Sequence, residues 1–378
     1  MSQNHAAHPA NNSPSDTAAK PFYRSPYPDE QRNAVTTNIH YGFVLRQNSA
    51  VSHLARRHTA ALSLDYSAPA LMSPAWRHVY GYADIGITLN HFYTGNYAVM
   101  GNVTGIGFYA EPNMVNRRRH MLSFRVGTGL GYNPVVFNRQ TNPTDVLMSS
   151  HISNMMQFIV KYRYRFTDNI SFVAGLGLTH FSNGGIKLPN QGINLPTFSA
   201  GLRVSTGREV NKTIALPGSN ATPGNPALPS FEKGGSLQIT GAFALVEVYP
   251  SGGSKYPYYI ANAAWCYRKS LKTTWQFGAE YFNNTSLPHF TNMPDSVKLK
   301  GPYFRIGVFA GHELHFSRIS LVTQLGYYAY NKTTVDPPLY QRLGIRYYIK
   351  PRFFAAIGLK THYGAADCLE WTIGGVLW

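Results

Sequence analysis

The sequence lacks several features by which common protein classes are recognised. It contains no apolar run of about 18 residues or more, which excludes a transmembrane helix. Its 378 residues include only two cysteines, with neither a CxxC motif nor a His/Cys cluster at zinc spacing, so no metal site and no cofactor are expected. Charged residues make up only 13% of the chain, which is few for a soluble protein.

Aromatic residues and glycine are abundant instead. The chain has 26 Tyr, 21 Phe and 34 Gly, and many segments alternate apolar with small or polar residues. Period-two alternation predicts β-strands, and aromatic girdles around an apolar band are typical of outer-membrane barrels. The predicted fold class is all-β: one closed antiparallel transmembrane β-barrel of the bacterial outer membrane over 36–378. We count about 16 strands, with 14 as the other possible count.

The net charge of +17 is explained by the same pattern. In the predicted strand at 152–166, Lys161, Arg163 and Arg165 alternate with aromatic and β-branched residues. An arginine or lysine facing lipid near the midplane would cost roughly 2–4 kcal/mol, so the basic side is expected to face the lumen. Because these residues form no separate patch, nucleic-acid binding is not predicted. A basic lumen leaves open an anion-selective channel.

One stretch places reactive side chains on this alternating pattern. The run from 170 to 182 has one apolar face, and His180 and Ser182 continue that face. A second run begins at Asn194, which has the parity of its own apolar residues. All three side chains are therefore expected exposed on the lipid-facing side at the tip of one hairpin. A serine, a histidine and an orienting group in this arrangement form the logic of an activated nucleophile.

The residues around this tip also carry a resemblance. The segment HFSNGG, followed by a loop and a PNxGxN segment, resembles the PagL-type lipid A deacylases, also called the acyloxyacyl hydrolase family. The resemblance covers 36–206, the half that carries the site, and the rest of the chain only as a generic barrel. It implies an outer-membrane β-barrel esterase whose partner and substrate is lipid A or a related outer-leaflet lipid.

Residue by residue, the resemblance makes His180 the base and Ser182 the nucleophile. Asn183 and Gly185 match the oxyanion-hole positions. Where the family usually has a glutamate as the third triad member, this chain has Asn194. An amide can accept a hydrogen bond from the imidazole but cannot supply charge, so a slow enzyme is expected. The alternative is a non-catalytic barrel, acting as an anion-selective porin or a lipid-binding structural protein.

Two further predictions concern the termini and the second half. Residues 1–35 are polar and rich in Pro, Ser and Asn, which predicts disorder. They lack the features of a secretory signal, so we interpret the signal peptide of an outer-membrane protein as missing from this sequence. Cys266 and Cys368 are expected near opposite ends of the barrel, too far apart to bridge. His362 shares parity with Lys360 and is expected to face the lumen.

Overall fold

The structure is a computed structural model that describes residues 32–69, 73–80, 82–206, 231–289, 304–333 and 336–377. Most of the predicted disordered segment, 1–35, lies outside the described residues. The described chain is built almost wholly from antiparallel strands, as the alternation predicts. The first half contains β1 (Asn33–Gly42), β2 (Thr59–Ser67), β3 (Asp84–Tyr93), β4 (Asn102–Glu111), β5 (Asn113–Asn116), β6 (His120–Tyr132), β7 (Ile152–Arg165), β8 (Ile170–Ser182) and β9 (Ile193–Thr206). The second half contains β10 (Gly234–Glu247), β11 (Lys255–Arg268), β12 (Thr273–Asn284), β13 (Phe304–Phe316), β14 (Ile319–Tyr330), β15 (Leu339–Lys350), β16 (Phe353–His362) and β17 (Ala365–Val376).

Helices are few and short. The connection from β2 to β3 contains α1 (Pro74–Val79), and the connection from β3 to β4 contains α2 (Tyr97–Met100). Single 3-10 turns occur at Ser49–Val51 and Leu287–His289. Among the described residues, no helix is both long and apolar enough to span a membrane.

The strands close as two barrels. In the first half, β1 pairs with β9 and β4 pairs with β6, so eight strands form a ring and short β5 adds to the edge of β6. In the second half, β10 pairs with β17 and closes a second ring of eight. The fold class, an antiparallel outer-membrane β-barrel, is confirmed together with the approximate strand count.

The prediction of one closed barrel over 36–378 is wrong, because the strands close as two separate rings. Alternation shows which face of a strand is apolar, but it does not show which two strands complete a ring. The connection at 207–233 is long, whereas the periplasmic turns of an outer-membrane barrel are short. It joins the last strand of the first barrel to the first strand of the second, and residues 207–230 of it are outside the described part of the chain.

The predicted lumen and lipid faces are confirmed in β7. Lys161, Arg163 and Arg165 point into the first barrel and are at most 6% exposed, whereas Val160 and Tyr162 point outward and are 43% and 37% exposed. Each cation costs a large desolvation free energy in such an interior unless a carboxylate compensates it. The lumen faces of the strands therefore need acidic partners.

Those partners fill both barrels. In the first barrel, Arg125 contacts Asp65 at 2.8 Å and Glu111 at 3.0 Å, and Lys161 lies 3.3 Å from Glu111. In the second barrel, Arg342 pairs with Glu280 and Glu370, at 2.7 and 2.6 Å. The interior of an eight-stranded barrel is narrow enough to be filled by its own side chains. In both barrels the interior is occupied by ion pairs.

The predictions of unpaired cysteines and of a lumen-facing His362 in the second half are confirmed. Cys266 and Cys368 are both free thiols, fully buried in the second barrel. His362 and Lys360 point into its lumen, at 7% and 0% exposure.

The two barrels touch at both ends. Near the periplasmic turns, Tyr80 stacks on Phe316 with ring centroids 4.4 Å apart and donates a hydrogen bond to the carbonyl of His315. At the end with the long loops, Gly184 lies against Leu369 of the second barrel, so that a Cβ at Gly184 would be only 2.9 Å from the Cβ of Leu369. The loop after β8 is thus in contact with the wall formed by β16 and β17.

Candidate active site

The hairpin of β8 and β9 brings the predicted residues together at the long-loop end of the first barrel. His180 and Asn194 are direct cross-strand partners, and both point outward. Between His180 and Ser182, Phe181 points inward and is completely buried. This alternation follows from the strand period of two, which sends His180 and Ser182 to one side and Phe181 to the other.

Phe181 anchors the tip of the hairpin in an apolar cluster. Its ring packs edge-on against Phe92, with centroids 5.8 Å apart. Gly131 makes room for it, because a Cβ there would lie 2.5 Å from the Phe181 ring. This packing fixes the backbone of β8 at the point where His180 and Ser182 face outward.

The imidazole of His180 has a defined partner. Its Nδ1 lies 2.7 Å from Oδ1 of Asn194, so Nδ1–H donates to the amide oxygen and Nε2 keeps its lone pair. Gly192 closes the other side of the ring: its φ is +74°, and a Cβ would lie 2.6 Å from Cε1 of His180. The imidazole of His180 is therefore held between the amide of Asn194 and the backbone of Gly192, where there is no room for a side chain.

Ser182 is placed differently from the expectation of an exposed rim. Its side chain is only 4% exposed. Oγ accepts hydrogen bonds from the backbone N–H of Gly184 at 3.0 Å and from Nδ2 of Asn190 at 2.8 Å. Among the described hydrogen bonds, none joins Ser182 to His180. The loop that follows β8 folds back over the hydroxyl, and Leu369 covers that loop from the second barrel.

Asn183 and Gly185 lie in the same loop, and the donors of both are already engaged. Gly185 N–H donates to Oδ1 of Asn183 at 3.0 Å, and Nδ2 of Asn183 donates to the carbonyl of Lys187 and to Oγ of Ser149. Gly184 and Gly185 both have positive φ, +67° and +83°, a conformation that glycine adopts without steric cost. The Asn-Gly-Gly sequence is thus required for the turn itself.

The neighbouring outer loop, 133–151, is hydrogen-bonded to this turn. Gly192 N–H donates to the carbonyl of Leu147 at 3.0 Å, and Gln191 N–H donates to Val146 at 3.2 Å. Asp145 lies beneath this contact and is 1% exposed. Burial raises the pKa of its carboxyl to about 7, although the N–H of Leu147 donates to it at 3.0 Å.

Sequence analysis missed two residues of the site. Asn190 holds Ser182 from the far end of the loop, and its Oδ1 accepts from the N–H of Asn183 at 3.0 Å. Gln47, in the loop after β1, accepts a close hydrogen bond from Nδ2 of Asn194. Asn190 belongs to the PNxGxN segment and could have been noticed there. Gln47 is 147 residues from Asn194 in sequence, and no local pattern marks it.

The second barrel contains a cluster that sequence spacing does not reveal. Ligand atoms of Asp336, His362 and Asp367 all lie within 4.8 Å of one another. The two carboxylates are already paired with cations, because Arg305 lies 2.7 Å from Asp336 and Lys360 lies 2.5 Å from Asp367. The positive side chains of Arg305 and Lys360 compensate the negative charge that would attract a divalent ion, so the cluster is an ion-pair network.

Three solved structures similar to this chain are distant from it in sequence. Neisserial surface protein A is 13% identical, with a TM-score of 0.32 over 46% of this chain and 97% of that one. A triple mutant of the Rh. blastica porin is 7% identical, with a TM-score of 0.18 over 91% of this chain and all of that one. The siderophore receptor PirA from Acinetobacter baumannii is 9% identical, with a TM-score of 0.21 over 87% and 43%. These TM-scores are too low to carry a conclusion.

Protein-family models match both halves of the chain. Residues 60–203 match the model described as lipid A 3-O-deacylase (PagL), and residues 235–376 match the acyloxyacyl hydrolase C-terminal domain. No curated protein matches the chain. The two matches coincide with the two barrels and together span most of the sequence. The chain therefore belongs to the PagL-type family of lipid A deacylases, which are proteins of the bacterial outer membrane.

Proposed function

We propose that this protein is an esterase that removes an ester-linked acyl chain from lipid A, or from a related outer-leaflet lipid, through Ser182, His180 and Asn194. One observation carries the proposal. His180 Nδ1 lies 2.7 Å from Asn194 Oδ1 on the outward face of β8 and β9, two residues from a serine, in a chain of a deacylase family. The substrate would already lie in the leaflet that surrounds the barrel.

The proposed chemistry begins with a proton transfer. With Nδ1–H held by Asn194, Nε2 of His180 is free to take the proton of Ser182 as Oγ attacks the carbonyl carbon of the ester. The tetrahedral intermediate collapses as the imidazolium returns its proton to the leaving sugar oxygen. Water then hydrolyses the acyl-enzyme by the same route, releasing a fatty acid and a deacylated lipid.

The oxyanion would be stabilised by donors of the loop after β8. The resemblance assigns this role to Asn183 and Gly185, and Gly184 N–H and Asn190 Nδ2 already point at Ser182 Oγ. When Oγ of Ser182 attacks the ester, the carbonyl oxygen of the ester comes within reach of the same donors. Losing one such donor typically costs about 10²- to 10³-fold in rate.

The buried position of Ser182 requires a local rearrangement on substrate binding. In the resting state its two lone pairs are occupied by Gly184 and Asn190, and the bond to His180 is absent from the described contacts. Catalytic hydrogen bonds commonly tighten only in the substrate complex. We propose that the substrate carbonyl displaces the Asn190 amide from Oγ, which lets the hydroxyl turn toward Nε2 of His180.

The charge of the outer loops supports an anionic lipid as the substrate. In the four long loops of the first barrel the acidic side chain is Asp145, which is buried. The exposed charged side chains in those loops are basic: Arg46, Arg56, Arg57, Arg139 and Lys187. Such a rim attracts the phosphate groups of a lipid A headgroup.

A fluorophosphonate probe tests the nucleophile directly, because it forms a covalent bond only with an activated serine. We expect labelling of the folded parent protein in lipid or detergent and none of Ser182→Ala. Ser199→Ala is the matched control, since Ser199 is in the same hairpin, also 4% exposed, and faces the lumen. Equal labelling of parent and Ser182→Ala would show that Ser182 is not the nucleophile.

A further inference from the structure

We infer that Gln47 is a positioning residue that sets the tautomer of His180 through the amide of Asn194, an inference that rests on the proposed function. Asn194 can point either its oxygen or its NH₂ group at His180, and the two orientations have opposite consequences. With the oxygen toward the ring, Nδ1 must carry the proton and Nε2 is a base. With the NH₂ toward the ring, Nδ1 must be the acceptor, and Nε2–H cannot take a proton from serine.

A carboxylate at this position would have no such ambiguity, because both its oxygens accept. The amide therefore needs an external partner that fixes its direction. Oε1 of Gln47 accepts a close hydrogen bond from Nδ2 of Asn194, which leaves Oδ1 for His180. Gln47 itself is an amide that could turn, so a further constraint is required.

That constraint comes from the backbone. Nε2 of Gln47 donates to the carbonyl of Gln191 at 2.5 Å. A carbonyl can only accept, so Nε2 must face Gln191 and Oε1 must face Asn194. The direction of every hydrogen bond from Gln191 through Gln47 and Asn194 to His180 is thus set by one carbonyl group. The active tautomer follows from that direction.

The loop that carries Gln47 is held against β9 by its own backbone. Leu45 N–H donates to the carbonyl of Asn194 at 2.9 Å, which continues the pairing of β1 with β9 beyond the end of the strand. Asn48 Nδ2 also donates to Oε1 of Gln191 at 3.0 Å. Although Gln47 is exposed to solvent, its backbone is thereby placed at the right distance from Asn194.

The test compares two substitutions of Gln47 in two backgrounds. Gln47→Leu removes the acceptor, and we expect kcat to fall about 3- to 10-fold with KM unchanged, the range that one hydrogen bond supplies. Gln47→Glu keeps an acceptor toward Asn194 but loses the donor to the Gln191 carbonyl, so kcat should fall less than in Gln47→Leu. In the Asn194→Glu background, Gln47→Leu should cost much less, because a carboxylate has no donor end to misdirect.

A spectroscopic readout separates this inference from the proposed function. Nitrogen-15 chemical shifts of His180 report which ring nitrogen carries the proton, whether or not the protein hydrolyses any lipid. We expect Nδ1–H in the parent and in Gln47→Glu, and a mixture of tautomers in Gln47→Leu. An unchanged tautomer in Gln47→Leu, or an equal loss of kcat in both backgrounds, would overturn the positioning role. Absence of hydrolysis in the parent with the expected shifts would overturn only the proposed function.

Discussion

At the residue scale, Asn194 is the unusual member of the proposed triad. It orients His180 but supplies no charge to stabilise the imidazolium that forms during attack. In a serine protease, replacing the aspartate by asparagine costs about 10⁴-fold, chiefly through the wrong tautomer. Here the hydrogen-bond direction at Asn194 favours the right tautomer, so in the proposed mechanism we expect the missing charge to limit the rate.

We therefore expect Asn194→Glu to raise the rate of lipid deacylation and Asn194→Ala to lower it. The gain from the carboxylate should be well below the roughly 10⁴-fold protease effect, because that effect comes chiefly from the tautomer, which Asn194 already favours. Rates are to be measured for all three forms at equal yield of folded barrel, judged by heat-modifiable migration on gels. If Asn194→Ala matched the parent and Asn194→Glu added nothing, Asn194 would not be the orienting residue.

At the scale of elements, we expect the contact between the outer loop 133–151 and the β8–β9 turn to weaken as the pH rises. Burial raises the pKa of Asp145 to about 7 from an unfolded value near 3.8. The folded loop thus binds a proton more tightly than the unfolded chain does. The stabilisation that this bound proton gives the folded loop is fully present below the unfolded pKa. It decreases as the pH rises toward about 7 and is lost above that pH.

Amide hydrogen exchange at Gly192 measures this effect, because its N–H donates to Leu147 across the two loops. We expect protection of that amide to decrease between pH 5 and pH 8. Asp145→Asn keeps an acceptor for the N–H of Leu147 without a titrating group, so its protection should stay constant. A parallel decrease in both proteins, after correction for intrinsic exchange, would assign the pH dependence to another group.

The elements that carry the site were largely predictable from sequence, and the loops were not. The predicted run from 170 to 182 matches β8, and the run predicted to begin at Asn194 matches the start of β9 within one residue, because alternation of apolar residues directly indicates a half-buried strand. The placement of His180 and Asn194 on one face of the hairpin followed from the same parity, whereas their direct pairing is seen only in the structure. The burial of Ser182 depends on Asn190 and on Leu369, which are brought near by a turn and by a second barrel. The alternation of apolar residues along a strand gives no information about such contacts.

At the scale of the whole molecule, the sequence did not reveal two barrels. Ring closure depends on long-range pairing of β1 with β9, and that pairing leaves no local trace in composition. The consequence for function is substantial. A single barrel of about sixteen strands could enclose a channel, whereas an eight-stranded ring is filled by its own side chains.

The filled interiors also change the meaning of the net positive charge. Lumen cations such as Arg125 and Arg342 are each paired with two carboxylates. A lumen whose charges are compensated offers little attraction to a permeating anion. The second barrel leaves a cavity of only about 50 Å³ among its interior polar side chains. These observations favour a protein that acts at its outer surface over a porin.

Mass spectrometry of lipid A tests most directly whether Ser182 removes an acyl chain from this lipid. Lipid A is to be compared from cells that lack the protein and from cells that make the parent, Ser182→Ala or Ser199→Ala at equal barrel levels. The account predicts a species lighter by one acyl chain in cells with the parent or Ser199→Ala, and its absence with Ser182→Ala. The same lighter species in cells with Ser182→Ala, or unchanged lipid A in cells with the parent, would contradict it.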